Sequence, residues 1–240
     1  MSYPGGKLGA GVYHAIINQI PPHRLYVEPF VGGGAILLKK RPAEQSIAYD
    51  LDQAAILRLS EAVPLASDLF VKSRLLVGDG VEVLAATRFE RDTFIYCDPP
   101  YLQTAVLTRL RYEHILTTAQ HARLLKAIKA QRCPVAISGY WSRLYAEELA
   151  DWRHIRFPSM TRGGYPCEEW LWMNYPDPQI TGQLHDYQYV GKNYREREKF
   201  RRQQKRWSTR LAKMTALQRM ALMSVLEETP VEKSCGDPKR

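Results

Sequence analysis

The stretch Leu25-Tyr26-Val27-Glu28-Pro29-Phe30-Val31-Gly32-Gly33-Gly34-Ala35-Ile36-Leu37-Leu38 decides how the rest of the chain is read. A short β-branched and aromatic run reaches Pro29, passes three glycines and re-emerges as an apolar helix ending near Lys39-Lys40. Strand, glycine turn and helix in that order open a nucleoside-binding α/β unit, because glycine lets the backbone come close to a ligand. Sixteen residues past Gly34 stands Asp50, at the tip of a second expected strand, Ile47-Ala48-Tyr49-Asp50. A carboxylate there suits the hydroxyl pair of a ribose. The glycines do not follow G-x-G-x-x-G and no Walker lysine is present. The unit therefore suits a nucleoside without a pyrophosphate better than a dinucleotide or a nucleoside triphosphate.

Two further strands follow the same plan. Arg74-Leu75-Leu76-Val77 runs into Gly78-Asp79-Gly80, where Asp79 either accepts from an adenine amino group or caps the next helix. Phe94-Ile95-Tyr96-Cys97 ends abruptly in Asp98-Pro99-Pro100-Tyr101. Each proline lacks an N–H and fixes φ, so the strand stops there. The turn presents a carboxylate, a main-chain carbonyl and an aromatic ring at a carboxyl strand end, the edge where open α/β sheets bind ligands. Asp98 and the Pro99 carbonyl could each accept one hydrogen of an exocyclic amino group, with Tyr101 stacked on the ring that bears it.

Composition narrows the classes. The chain has 240 residues and is 45% hydrophobic, enough for one ordinary domain with an appendage. No apolar run approaches the ~20 residues of a membrane span, and the start lacks a secretory h-region, so a cytoplasmic protein is expected. Cys97, Cys133, Cys167 and Cys235 show no metal-ligand spacing, and no metal is expected. The net charge of +9 is uneven: 14 Lys/Arg and 6 Asp/Glu lie from Gly191 onward, beside an almost neutral body. That asymmetry suggests a polyanionic partner met by an added segment.

The remaining elements complete an α/β fold. A helix is expected over 9–20, another over 119–131 capped by Thr117 or Thr118, and a short one over 142–149. A fifth strand covers 134–138, and strands near 153–157 and 169–174 bring the sheet to about seven, the last antiparallel. Residues 1–176 are expected to form the body and 177–193 a linker. A basic helical extension over 194–228 carries the apolar stripe Trp207, Leu211, Met214, Leu217 and Ala221, and 229–240 a disordered tail. Candidate phosphate contacts are Arg109, Arg111 and Arg162 in irregular segments, and Arg197, Arg201, Arg202 and Lys205 on the extension.

Together these motifs resemble the DNA adenine-N6 methyltransferases of the Dam-like group, over about residues 3–175 and in that family's order. Tyr3-Pro4-Gly5-Gly6-Lys7 is similar to its N-terminal motif, Val27 to Gly34 to its cofactor loop, and Asp98 to Tyr101 to its catalytic tetrad. Glu168-Glu169-Trp170-Leu171 is similar to the start of its final strand. The resemblance implies a Rossmann-like, S-adenosylmethionine-dependent fold. It implies that Tyr3, Lys7, Glu28, Phe30, Gly32, Gly34, Asp50, Asp79 and Asp98 contact or border the cofactor. Asp98, Pro99 and Tyr101 would handle an adenine flipped from duplex DNA. Family members with a target-recognition insert carry it between the positions of Asp79 and Asp98, where only 80–97 lie here. An RNA adenine enzyme, or a nucleic-acid-binding protein that lost catalysis, are the rival readings. A monomer or weak homodimer is expected.

Overall fold

The computed structural model describes residues 7, 11–63, 67, 69, 72–102, 116–160, 165–191 and 193–229. Tyr3, Arg109, Arg111, Arg162 and the expected tail from 230 lie outside them.

Seven strands form one sheet: β1 (Leu25–Glu28), β2 (Gln45–Asp50), β3 (Ser73–Val77), β4 (Thr93–Cys97), β5 (Val135–Gly139), β6 (Arg153–Met160) and β7 (Pro166–Met173). Their order across the sheet is β3-β2-β1-β4-β5-β7-β6. The first five pair in parallel, whereas β7 runs antiparallel to both β5 and β6. The order reverses between β1 and β4, which makes their carboxyl ends the crevice of the sheet.

Alternation along the strands builds a core on each face. Tyr26, Phe94, Tyr96 and Leu171 face α1 (Val12–Ile17), α2 (Ala35–Lys39) and α3 (Gln53–Ala62). Val27, Ile95, Ile137 and Trp172 face α4 (Gly80–Ala86), α5 (Thr118–Lys129) and α6 (Arg143–Glu148). Each fully buried side chain of this size contributes about 1.5–3 kcal/mol. The helices start where side chains satisfy their first N–H groups: Asp52, Asp79, Thr117 and Ser142 all act as N-caps.

Residues 177–193 are no free linker. After α7 (Pro178–Thr181), the His185 N–H donates to the Ile20 carbonyl at 3.0 Å and Asp186 accepts from the Arg41 N–H at 2.8 Å. Asn18 reaches the Tyr189 carbonyl at 2.8 Å, and the His23 and His185 rings stack with centroids 4.0 Å apart. Leu184, His185, Asp186 and Tyr189 are buried, so the segment straps the amino-terminal helix to the first strand's loops.

The basic extension is two helices where one was expected, α8 (Tyr194–Ala212) and α9 (Ala216–Glu228). Thr215, extended at ψ 163°, caps α9 in a reciprocal capping box with Gln218, and this cap ends the helical run before it. Neither helix contains a buried residue. Of the expected apolar stripe, Trp207, Leu211 and Leu217 are exposed. Among the described residues no helix is long and apolar enough to cross a membrane.

Candidate active site

The carboxyl end of β4 delivers Asp98 into a buried ionic cluster. The Lys7 ammonium lies 2.9 Å from Asp98 Oδ1 and 3.0 Å from Oε2 of Glu169 on β7. Ser138, at the end of β5, donates to the same Oδ1 at 2.9 Å and has the Tyr96 hydroxyl 3.0 Å from its own oxygen. The Tyr101 hydroxyl accepts from Lys7, donates to Glu169 Oε2 at 2.9 Å, and stands 3.3 Å from Asp98 Oδ1. Ser159 donates to Glu169 Oε1 at 2.7 Å. Four strands thus meet at the cluster: β4 through Tyr96 and through Asp98 at its end, β5 through Ser138, β7 through Glu169 and β6 through Ser159.

The charges follow from this packing. Burial pushes Asp98 up, Lys7 pulls it back down, and the nearby Glu169 charge adds to the rise. Glu169 ends below its ordinary value: burial works against its charge, but Lys7, Ser159 and Tyr101 together outweigh it. Burial opposes the Lys7 charge too, and the two carboxylates overcome it and raise the ammonium. Tyr101 is held well above the phenol range, by burial first and then by Asp98 and Glu169.

The glycine turn and Asp50 lie at the carboxyl ends of the neighbouring strands β1 and β2. Asp50, at the tip of β2, accepts from the Gly32 N–H at 2.7 Å through Oδ2 and from the Asp52 N–H at 2.9 Å through Oδ1. Gly34 sits at φ 65°, and a Cβ on it would fall 2.5 Å from Leu59 Cδ1, so the turn needs glycine there. Gly80 is equally confined: its Cβ would meet the Pro29 carbonyl at 2.3 Å. This close approach seats the β1 turn, with half-buried Phe30, against the start of α4. Asp79 spends Oδ1 on the Val81 N–H as the helix cap.

The structure corrects several sequence expectations. Glu28 does not open onto the crevice. It shares the inward face of β1 with Tyr26, is 2% exposed, and accepts from the Tyr26 hydroxyl at 2.8 Å. Burial drives its carboxyl up to about 8. Tyr101 does not present an open ring: it is 7% exposed, edge-on to Tyr140 at 4.5 Å, with Lys7 Nζ 4.8 Å from its centroid. Arg197 donates to the Gly191 carbonyl, and Arg201 pairs with Glu198 at 2.8 Å. Local sequence pattern assigns no role to Ser138, Tyr140 and Ser159, and assigns Glu169 only a place on a strand. Ser138 had a signal: it is the polar end of an apolar strand next to the tetrad.

No protein-family model and no curated protein sequence matches the chain. Among solved structures it is similar to precorrin 8w decarboxylase from Methanobacterium thermoautotrophicum, with 14% identity over 72% of this chain and 94% of that one, and a TM-score of 0.48. It is similar to the presumed methyltransferase yhhF from Escherichia coli, at 16% identity, 72% and 90% coverage and a TM-score of 0.48. For SMU.1697c, a presumed methyltransferase from Streptococcus mutans in complex with SAH, the values are 15%, 67%, 94% and 0.43. Likeness of this size leaves the chemistry to the side chains themselves. The architecture is the α/β fold expected from the sequence: a seven-stranded mixed sheet whose last strand is antiparallel.

Proposed function

We propose that the chain transfers a methyl group from S-adenosylmethionine to the N6 amino group of an adenine flipped out of duplex DNA. The observation that carries this reading is the one-sided use of Asp98. Lys7, Ser138 and Tyr101 all gather at Oδ1, and among the described residues none reaches Oδ2. Oδ1 is anchored, so Oδ2 is an oriented acceptor at the crevice of the sheet. With the Pro99 carbonyl beside it, it can take the hydrogens of an amino group and draw the nitrogen lone pair out of conjugation with the ring.

The residues across the crevice fit the cofactor. Two backbone N–H groups orient the Asp50 carboxylate, and carboxylate oxygens accept more than one hydrogen bond, so ribose hydroxyls can add to them. Glycines at φ 49° and 65° keep side chains off the turn at 32–34. Phe30 and Asp79 would border the adenine of the cofactor. When bound, S-adenosylmethionine supplies an electrophilic methyl group on sulfonium. The chain's own residues position the nucleophile: Asp98 fixes the amino group, and a base stacks on Tyr101 once the Lys7 ammonium leaves the ring face. Glu169 Oε2, already 3.0 Å from that ammonium, can keep it paired as it moves. Most of the acceleration then comes from positioning and fixed electrostatics.

The test offers methyl-labelled cofactor to duplex DNA, single-stranded DNA and structured RNA of one sequence, followed by nucleoside chromatography. Label in N6-methyldeoxyadenosine from the duplex is the expected result. Label in RNA alone, or in no nucleic acid although the cofactor binds, would overturn the reading.

A further inference from the structure

Helix α8 has two sides of opposite character. Arg202, Lys205, Arg206, Thr209, Arg210 and Lys213 recur at three- and four-residue steps, so they share one side, where they line an open groove. All six are exposed. No acidic residue occurs from Arg202 to Lys213, and Glu198, one turn earlier, already pairs with Arg201. Among the described residues no carboxylate pairs with any of the five cations. On the other side Phe200, Gln204 and Met214 are partly covered. The first turn is ordered locally, by the Asn193 cap and by Arg197 on the Gly191 carbonyl. The six side chains of the stripe are exposed along the turns that follow.

We propose that this stripe is a docking rail for the phosphate backbone of duplex nucleic acid. Like charges three and four residues apart on a helix repel, by about 0.2–0.5 kcal/mol per pair, and nothing among the described residues offsets them. A regular polyanion does. From Arg202 to Lys213 the stripe spans about 16 Å at 1.5 Å per residue, and roughly ten phosphates lie along that length of duplex axis. Five long, mobile cations can each find one. The Thr209 hydroxyl donates to the Lys205 carbonyl, so the rail is built of charge alone. A bilayer is a poorer match, because a membrane-lying helix buries a broad apolar side, and from Arg202 to Lys213 only two large apolar side chains, Trp207 and Leu211, are exposed. The assignment moves the expected phosphate contacts: Arg202 and Lys205 stay, Arg197 and Arg201 are committed within the chain, and Arg206, Arg210 and Lys213 join.

The proposal rests on the nucleic-acid reading of the active site only for its choice of polyanion, and its test needs neither adenine nor cofactor. The full chain, the five-fold variant R202Q/K205Q/R206Q/R210Q/K213Q and the double variant R206Q/R210Q are titrated with a duplex of G·C pairs at several salt concentrations. Glutamine keeps helix propensity close to that of Arg and Lys, and circular dichroism verifies the helix. The slope of log affinity against log salt should become shallower by about 4–5 units in the five-fold variant and by about 2 in the double. A control that replaces Arg88, Arg91, Lys126, Lys129 and Arg132 by Gln removes the same charge from the body and should change the slope by less than about one unit. Equal losses in control and stripe variants, or an unchanged slope, overturn the rail. So does a variant that loses binding to phosphatidylserine vesicles while keeping its duplex affinity. Failure of methyl transfer leaves this result untouched, since the probe duplex contains no adenine.

Discussion

Replacing Asp98 by Asn should separate chemistry from stability. The buried cluster holds one ammonium, Lys7, against two carboxylates, Asp98 at 2.9 Å and Glu169 at 3.0 Å. Its charge is minus one when all three are ionised. Asparagine keeps the shape of the side chain and an oxygen for Ser138, and it leaves Lys7 and Glu169 as a balanced pair. Breaking a balanced buried pair typically costs about 3–5 kcal/mol. Here the exchange removes the surplus charge, so stability should change by less than about 1 kcal/mol. Methyl transfer loses its charged acceptor and should slow roughly 100- to 1000-fold, about 2.7–4 kcal/mol of transition-state stabilisation. Lys7→Met is the counterpart. It leaves two buried carboxylates with no cation and should cost about 3–5 kcal/mol at pH 8. Because the orphaned pair then holds a proton that the unfolded chain releases, that loss shrinks as the pH falls. Single-turnover transfer at saturating cofactor, with urea unfolding followed by tryptophan fluorescence, reads both quantities. A D98N protein that loses more than about 2 kcal/mol, or keeps its rate within tenfold, would refute the charge count or the role of Asp98 respectively.

Asp50→Ala should weaken S-adenosylmethionine binding roughly 10- to 100-fold by calorimetry, since a charge-assisted contact is worth about 1.5–3 kcal/mol; an unchanged affinity would show that the ribose site is elsewhere. Gly34→Ala forces a Cβ to 2.5 Å from Leu59 at positive φ and should lower stability by about 1–3 kcal/mol in urea unfolding. His23 is held down at about 2, by burial first and then by the charges of His185 and Lys40. The unfolded chain takes up that proton near pH 6.5 and the folded one does not. Stability should therefore fall as the pH drops below about 6.5, by up to about 1.4 kcal/mol per unit for this residue. Unfolding midpoints at pH 7.5 and 5 should differ less in His23→Phe than in the unchanged chain.

Local chemistry is what a sequence displays well, and the legible parts of this protein are local. The glycine turn, the two prolines behind Asp98 and the alternating strands each carry their signal within a few residues. All seven strands and the antiparallel last one could be read from such signals. Glu28 could not, because a carboxylate two positions from Tyr26 belongs on the same inward face only if burial is tolerated, and charged side chains seldom accept it. The strap at 177–193 hides behind its prolines. Its partners Asn18, Ile20, Lys39 and Arg41 lie roughly 150 positions away, where nothing in the local pattern points. Glu169 is a similar case, since its meeting with Lys7 depends on β7 lying beside β5. The break between α8 and α9 is different in kind. Thr215 with Gln218 three residues later is a capping-box pattern in plain view, and the apolar stripe running through it masks the stop.

The cluster at Asp98 has a consequence for how the protein is made. Synthesis delivers Lys7 first and Glu169 162 positions later. In between, the tetrad emerges, but the strand that holds Glu169 must still enter the gap between β5 and β6. A nascent chain halted before residue 169 can display the glycine turn and bury most of the parallel sheet. It has only one of the two carboxylates that hold the lysine ammonium in the interior. The site closes with the last strand of the sheet, so a partly made chain cannot assemble the complete cluster.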